Sequence, residues 1–78
     1  MIVLPLPMLP DPVRLMMEGL DLVMRGARTA AAAELTAERA YGFVWGIETV
    51  KALSPDTIGS LYDWIEATHR EVLQNWSK

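Results

Sequence analysis

Between residues 11 and 28 the polar positions form one narrow stripe. Arg14, Glu18, Asp21, Arg25 and Arg28 recur at alternating intervals of four and three, which at about 100° per residue places all five within an arc of about 80°. The other positions from 12 to 28 are apolar, glycine or proline. The pattern predicts a helix with little surface for water and more than one neighbour. Val13, Met16, Met17, Leu20, Val23, Met24 and Ala27 form its main buried face, with Leu15 and Leu22 across a groove made by Gly19 and Gly26. Asp11-Pro12 supplies the start, with Asp as N-cap and proline at the first helical position, where a missing N–H costs nothing.

This first helix runs to Arg28 or somewhat beyond. From 29 to 35 two arrangements stay open, because the alanines 30–33 either extend the first helix or begin a second. Gly26, Thr29 and Thr36 each permit a break, and the turn is expected at one of the two threonines, which leaves the boundary open between Arg28 and Thr36. The second helix then continues through Leu53. Its apolar face is Ala40, Phe43, Val44, Ile47 and Val50, with Tyr41 and Trp45 as an i, i+4 aromatic pair on the shoulder. Gly42 and Gly46 occupy another side. A glycine inside a helix costs about 1 kcal/mol relative to alanine, so this pair points to close approach of another backbone, with Gly19 and Gly26 of the first helix as its natural counterpart.

Ser54-Pro55-Asp56 repeats the start signal: Ser as N-cap, Pro at the first position and an acid in the first turn. The third helix carries a seam of Ile58, Tyr62, Ile65, His69, Val72 and Trp76, with a wet face that includes the Glu66–Arg70 pair at i, i+4. So short a connection makes the second and third helices a tight αα-hairpin. The expected fold is an all-α three-helix domain over residues 11–78, preceded by an extended arm over 1–10 whose Pro5, Pro7 and Pro10 forbid a helix. The arm's Ile2, Val3, Leu4, Leu6, Met8 and Leu9 either strap the domain's own core or reach a neighbour.

Composition narrows the chemistry. With 7 basic and 10 acidic residues spread along 78 positions and a net charge of −3, the chain has no basic field for phosphates, and nucleic acid is not an expected ligand. There is no cysteine, which removes disulfides, thiolate metal sites and a thiol nucleophile and favours a reducing, cytoplasmic setting. The proline-rich arm lacks a basic leader and is shorter than the ~20 residues of a membrane span, so no membrane association is expected. His69 is the one histidine and sits on an apolar seam with no nucleophile or second ligand beside it. Glu34 and Glu38 fit a solvated face better than an acid–base pair. Neither an enzyme nor a metal or cofactor site is expected.

What remains is apolar surface. Hydrophobic residues make up 51% of the chain and charged ones 22%, more apolar side chain than a monomer of this size easily hides. Tyr41, Trp45 and Trp64, together with Leu15 and Leu22, are the candidates for a contact surface, since tryptophan and tyrosine dominate binding energy at interfaces. A homodimer or higher homo-oligomer is the expected outlet for the rest.

Three stretches, Glu38-Arg39-Ala40-Tyr41-Gly42, Lys51-Ala52-Leu53-Ser54-Pro55 and Leu61-Tyr62-Asp63-Trp64-Ile65, give the chain a further likeness. In style they resemble small helical-hairpin accessory proteins of bacteriophages and mobile elements of Gram-negative bacteria, a group that includes anti-CRISPR proteins. The resemblance implies a non-catalytic inhibitor or regulator that binds and blocks a host protein, and carries over no functional residue. Two other classes stay open: a purely structural homo-oligomer, and a small-ligand binder at a subunit interface.

Overall fold

The structure is a computed structural model that describes residues 9–76. The arm expected over 1–10 therefore lies outside the described residues except for Leu9 and Pro10. Leu9 is buried in the core. Three helices follow: α1 (Asp11–Arg25), α2 (Ala30–Thr49) and α3 (Pro55–Trp76).

Local chemistry explains each boundary, with some shifts from the pattern. Asp11 is inside α1 and not its cap. The cap is Pro10, which has no side-chain donor or acceptor, but whose carbonyl accepts from Arg14 N–H at 2.9 Å. Asp11 contributes as a first-turn acid near the positive end of the helix dipole and accepts from the Arg14 guanidinium at 3.1 Å. α1 ends at Arg25, three residues before Arg28, and is capped by Gly26, whose N–H donates to the Leu22 carbonyl at 3.0 Å while Ala27 N–H donates to the Met24 carbonyl at 3.2 Å. Thr29 then settles the open boundary. Its extended backbone and its Oγ1, accepting from Ala32 N–H at 3.0 Å, cap α2, so the alanines belong to the second helix.

α2 ends at Thr49, four residues earlier than expected, through a paired bond pattern. Lys51 N–H donates to Glu48 O at 3.0 Å and Ala52 N–H reaches back to Ile47 O at 3.2 Å, which is the Schellman arrangement. It requires a left-handed residue after the cap, and Lys51 takes that role at φ 56° where glycine would be unstrained. Ser54 begins α3 as read from the sequence: its Oγ accepts from Thr57 N–H at 3.3 Å and lies 2.9 Å from the Thr57 hydroxyl.

α2 and α3 form the closest pair, as expected of a hairpin, and α1 lies against both. The seam of α2 is Ala33, Thr36, Ala37, Ala40, Val44 and Ile47, all buried. Its first half is made of small residues, and interaxial distance follows side-chain size at the contact. Close approach is thus achieved by Ala33, Ala37 and Ala40. α3 answers with Ile58, Leu61, Trp64, Ile65, Thr68 and Val72, and α1 with Met17 and Met24, flanked by half-buried Val13 and Leu20. The Thr36 hydroxyl is satisfied inside the helix by the Ala32 carbonyl at 3.0 Å.

The glycines expected at helix contacts are elsewhere. A methyl group added at Gly19, Gly42 or Gly46 would meet nothing within 4 Å, and one at Gly26 would meet only the carbonyls of its own helix end. On α2 the reason is rotational: at about 100° per residue, Gly42 and Gly46 lie nearly opposite the alanine seam. These two glycines lower helix propensity without a packing return. The double replacement Gly42→Ala, Gly46→Ala is expected to stabilise the fold by about 1–2 kcal/mol in total, read as a higher denaturant midpoint at unchanged m. A loss of stability would restore the close-contact role.

Candidate functional site

The outer face of α1 carries a run of exposed apolar side chains. Met16 and Val23, expected in the core, are about half exposed and join Leu15 at 60% and Leu22 at 72%. The cause is how the charged stripe sits. Arg25 donates to Asp21 at 2.8 Å on its own helix and to Glu71 of α3 at 3.5 Å, which draws the polar row of α1 onto the flank facing α3. The hydrogen bond that Arg25 donates to Asp21, opposed by partial desolvation, raises the Arg25 pKa above its ordinary value, so the guanidinium stays charged. With Met17 and Met24 pointing into the core, the remaining arc of the helix faces outward.

That arc has no charge. At about 100° per residue it runs through Leu22, Leu15, Gly26, Gly19, Pro12, Val23 and Met16. Arg14 is held by Asp11 at 3.1 Å and Glu18 at 3.5 Å, so the α1 ion pairs lie to one side of it. Pro12, Leu15, Met16, Gly19, Leu20 and Val23 line a shallow groove of about 520 Å³. Gly19 gives the groove its depth, because nothing fills the space a side chain would take. Leu22 stands beside it as a ridge.

A second surface is the aromatic shoulder of α2. Tyr41 does not pair with Trp45 as the i, i+4 spacing allows, but stacks on Tyr62 of α3 with ring centroids 6.0 Å apart and planes at 27°. Tyr62 donates its hydroxyl to Glu48 at 2.9 Å, tying the shoulder across the hairpin. Desolvation, followed by the nearby charge of Glu66, raises the Tyr41 pKa. Desolvation also raises that of Tyr62, with the Glu48 hydrogen bond as the next cause. Both phenols stay neutral near pH 7. Trp45 is left projecting, 68% exposed, with Leu35 and Val50 also exposed along the helix. Val50 belongs to no core face, because α2 has already ended before it.

Trp64 is not part of any contact surface. It is 2% exposed, among the largest fully buried side chains of the fold. Its place at the margin of the α3 seam reads as marginal burial only while α1 is left out. Trp64 lies one heptad before Glu71, which pairs with Arg25 of α1, so α1 covers that flank.

The polar groups offer little chemistry. His69 Nε2 and Thr68 Oγ1 are buried without a hydrogen-bond partner among the described residues. No group of three or more His, Cys, Asp or Glu among the described residues is placed to hold a metal ion, and none of the described helices is long and apolar enough to cross a membrane. A smaller cavity of about 410 Å³ at the α2–α3 turn, lined by Glu48, Lys51, Leu53, Pro55 and Ile58, has Glu48 already engaged by Tyr62. Of the residues singled out in the sequence, the structure groups Leu15, Leu22, Gly19 and Gly26 on one face and sets Tyr41 and Trp45 on another helix. The exposure of Met16 and Val23 was missed. No family model, curated protein or solved structure matches this chain.

Proposed function

We propose that the protein acts by binding another protein, without catalysis, and that the outer face of α1 is its principal contact surface. The observation that carries this is the uncharged apolar arc of α1 left exposed by a fold that has sequestered its own core. Apolar patches of this kind on small proteins mark interaction sites. Burying Leu22 or Leu15 against a partner would contribute about 1.5–3 kcal/mol each, less what their residual contacts already supply. The inhibitory or regulatory role implied by the resemblance to phage and mobile-element accessory proteins is the form of binding proposed: occlusion of a host protein in the cytoplasm. Trp45 is the anchor of a secondary contact.

The test compares capture of a host protein from a Gram-negative lysate by the wild-type chain and by two variants. Leu22→Glu is expected to lower capture by about tenfold or more, since one buried unpaired carboxylate costs more than the 1.4 kcal/mol that a factor of ten represents. Trp45→Ala is expected to weaken it less. Capture indifferent to Leu22→Glu would remove α1 as the contact surface.

A further inference from the structure

We infer that residues 1–8, the apolar segment that enters the fold at Leu9, close over the groove of α1 as a strap that a foreign partner must displace. The inference rests on α1 as the contact surface and adds how access to that surface is controlled. Position, length and chemistry each carry part of it.

The position is set by two described residues. Leu9 is buried in the core and Pro12 lines the groove. Three peptide steps separate them, so their Cα atoms are at most about 11 Å apart and the preceding chain is delivered at the mouth of the groove. The length then matches. From Pro12 to Val23 the groove runs about 16 Å at 1.5 Å per helical residue. An extended chain rises about 3.3 Å per residue, so residues 2–7 cover that distance while Met8 joins them to Leu9. Running back along α1 with Pro7 level with Pro12, the chain sets Leu4 level with Gly19 and Ile2 level with Val23.

The chemistry is complementary. Residues 1–8 carry no charged side chain, and the described residues lining the groove carry none. Ile2, Leu4, Leu6 and Met8 fall at every second position, so an extended chain presents them on one side. Leu4 fills the hollow that Gly19 leaves. Pro5 and Pro7 lack the N–H that an apolar face would otherwise strip of water. The cavity at the α2–α3 turn is the poorer host, because Glu48 and Lys51 line it. Tethering does the rest: a short connection gives an effective concentration in the millimolar range, so a weak contact suffices for closure, and a partner's apparent affinity falls with the open fraction.

The test uses the full chain, which has no cysteine of its own. Leu4→Cys with Gly19→Cys is expected to close an intrachain disulfide under mild oxidation in dilute solution, which requires their Cα atoms to come within about 7 Å. Leu4→Cys with Leu53→Cys at the α2–α3 turn, or with Leu35→Cys exposed on α2, is not. In the 15N-labelled chain, Leu4→Asp with Leu6→Asp is expected to shift the amide resonances of Leu15, Gly19 and Val23 and to leave those of Gly42 and Gly46 in place. Equal cross-linking to position 53 or 35, or an unmoved Gly19 resonance, overturns the strap. So does a Leu4–Gly19 cross-link that forms only between two chains, which would assign the groove to a second copy. Capture of a foreign protein separates this inference from the reading beneath it. For a strap closed at least half the time, Leu4→Asp with Leu6→Asp raises capture about twofold or more. Capture unchanged by that pair but lost in Leu22→Glu sinks only the strap, and capture lost in both makes the arm part of the contact and sinks the strap as well. Capture that ignores Leu22→Glu removes α1 as the partner's surface and with it anything for the strap to guard.

Discussion

Replacing Trp64 with alanine is expected to destabilise the fold by about 3–5 kcal/mol, the range for removing a large aromatic from a packed core. Trp64 is 2% exposed and shares its cluster with Leu61, Ile65, Met17 and Met24, so a cavity would open among side chains drawn from different helices. Domains have total stabilities of about 5–15 kcal/mol, and one of 78 residues belongs toward the lower end. The variant should therefore be largely unfolded at room temperature or melt far below the wild type, which far-ultraviolet circular dichroism against urea would measure. A change under about 1 kcal/mol would mean that Trp64 is solvent-facing and that α1 does not cover the flank carrying Glu71. Trp45→Ala is the control, since its ring is mostly in water and should change stability little.

The second large effect is expected from Ala40→Leu. Ala40 is fully buried in the small-residue half of α2, where Ala33 and Ala37 are its seam neighbours. Added methylenes in such a contact force the helices apart or the new side chain off its rotamer, at about 1–3 kcal/mol. The same change at Ala32, which is exposed on α2, should be nearly neutral because leucine and alanine are both good helix formers. Equal effects at 32 and 40 would rule out the alanine seam as the site of close approach. Melting curves of the two variants side by side decide it.

The expected effects at alanine 40 and at glycines 42 and 46 have opposite signs, and both depart from a motif-led interpretation of the chain. Two glycines at i, i+4 are a more conspicuous signal than alanines at 33, 37 and 40, because alanine is also the ordinary filler of helices. Spacing could have favoured the alanines: with Thr36, Val44 and Ile47 they continue one face for nearly the whole of α2, while Gly42 and Gly46 fall beside Leu35 and Thr49 on the other side. Part of the candidate surface was legible in the same way. Leu15 and Leu22 stood on the far side of α1 from its buried face, and Trp45 stood on a shoulder. Met16, Val23 and Trp64 were misplaced, all for one reason, that their burial depends on where a different helix lies.

Local hydrogen bonding and dihedral preference were enough to specify three helices, a break in the 26–36 region, the Ser54-Pro55 start of α3 and the hairpin it makes with α2. Each depends on side chains within a few residues of the backbone they cap or bend. Rotation of α1 about its own axis was a different matter. Its apolar arc spans more than half the helix, and any portion of it could have faced inward at similar local cost. The choice was made by contacts between residues distant in the chain, Arg25 with Glu71 on one flank and Met17 and Met24 within the core cluster shared with α2 and α3. Those contacts buried Trp64, exposed Met16 and Val23, and left the uncharged face around Gly19 in water.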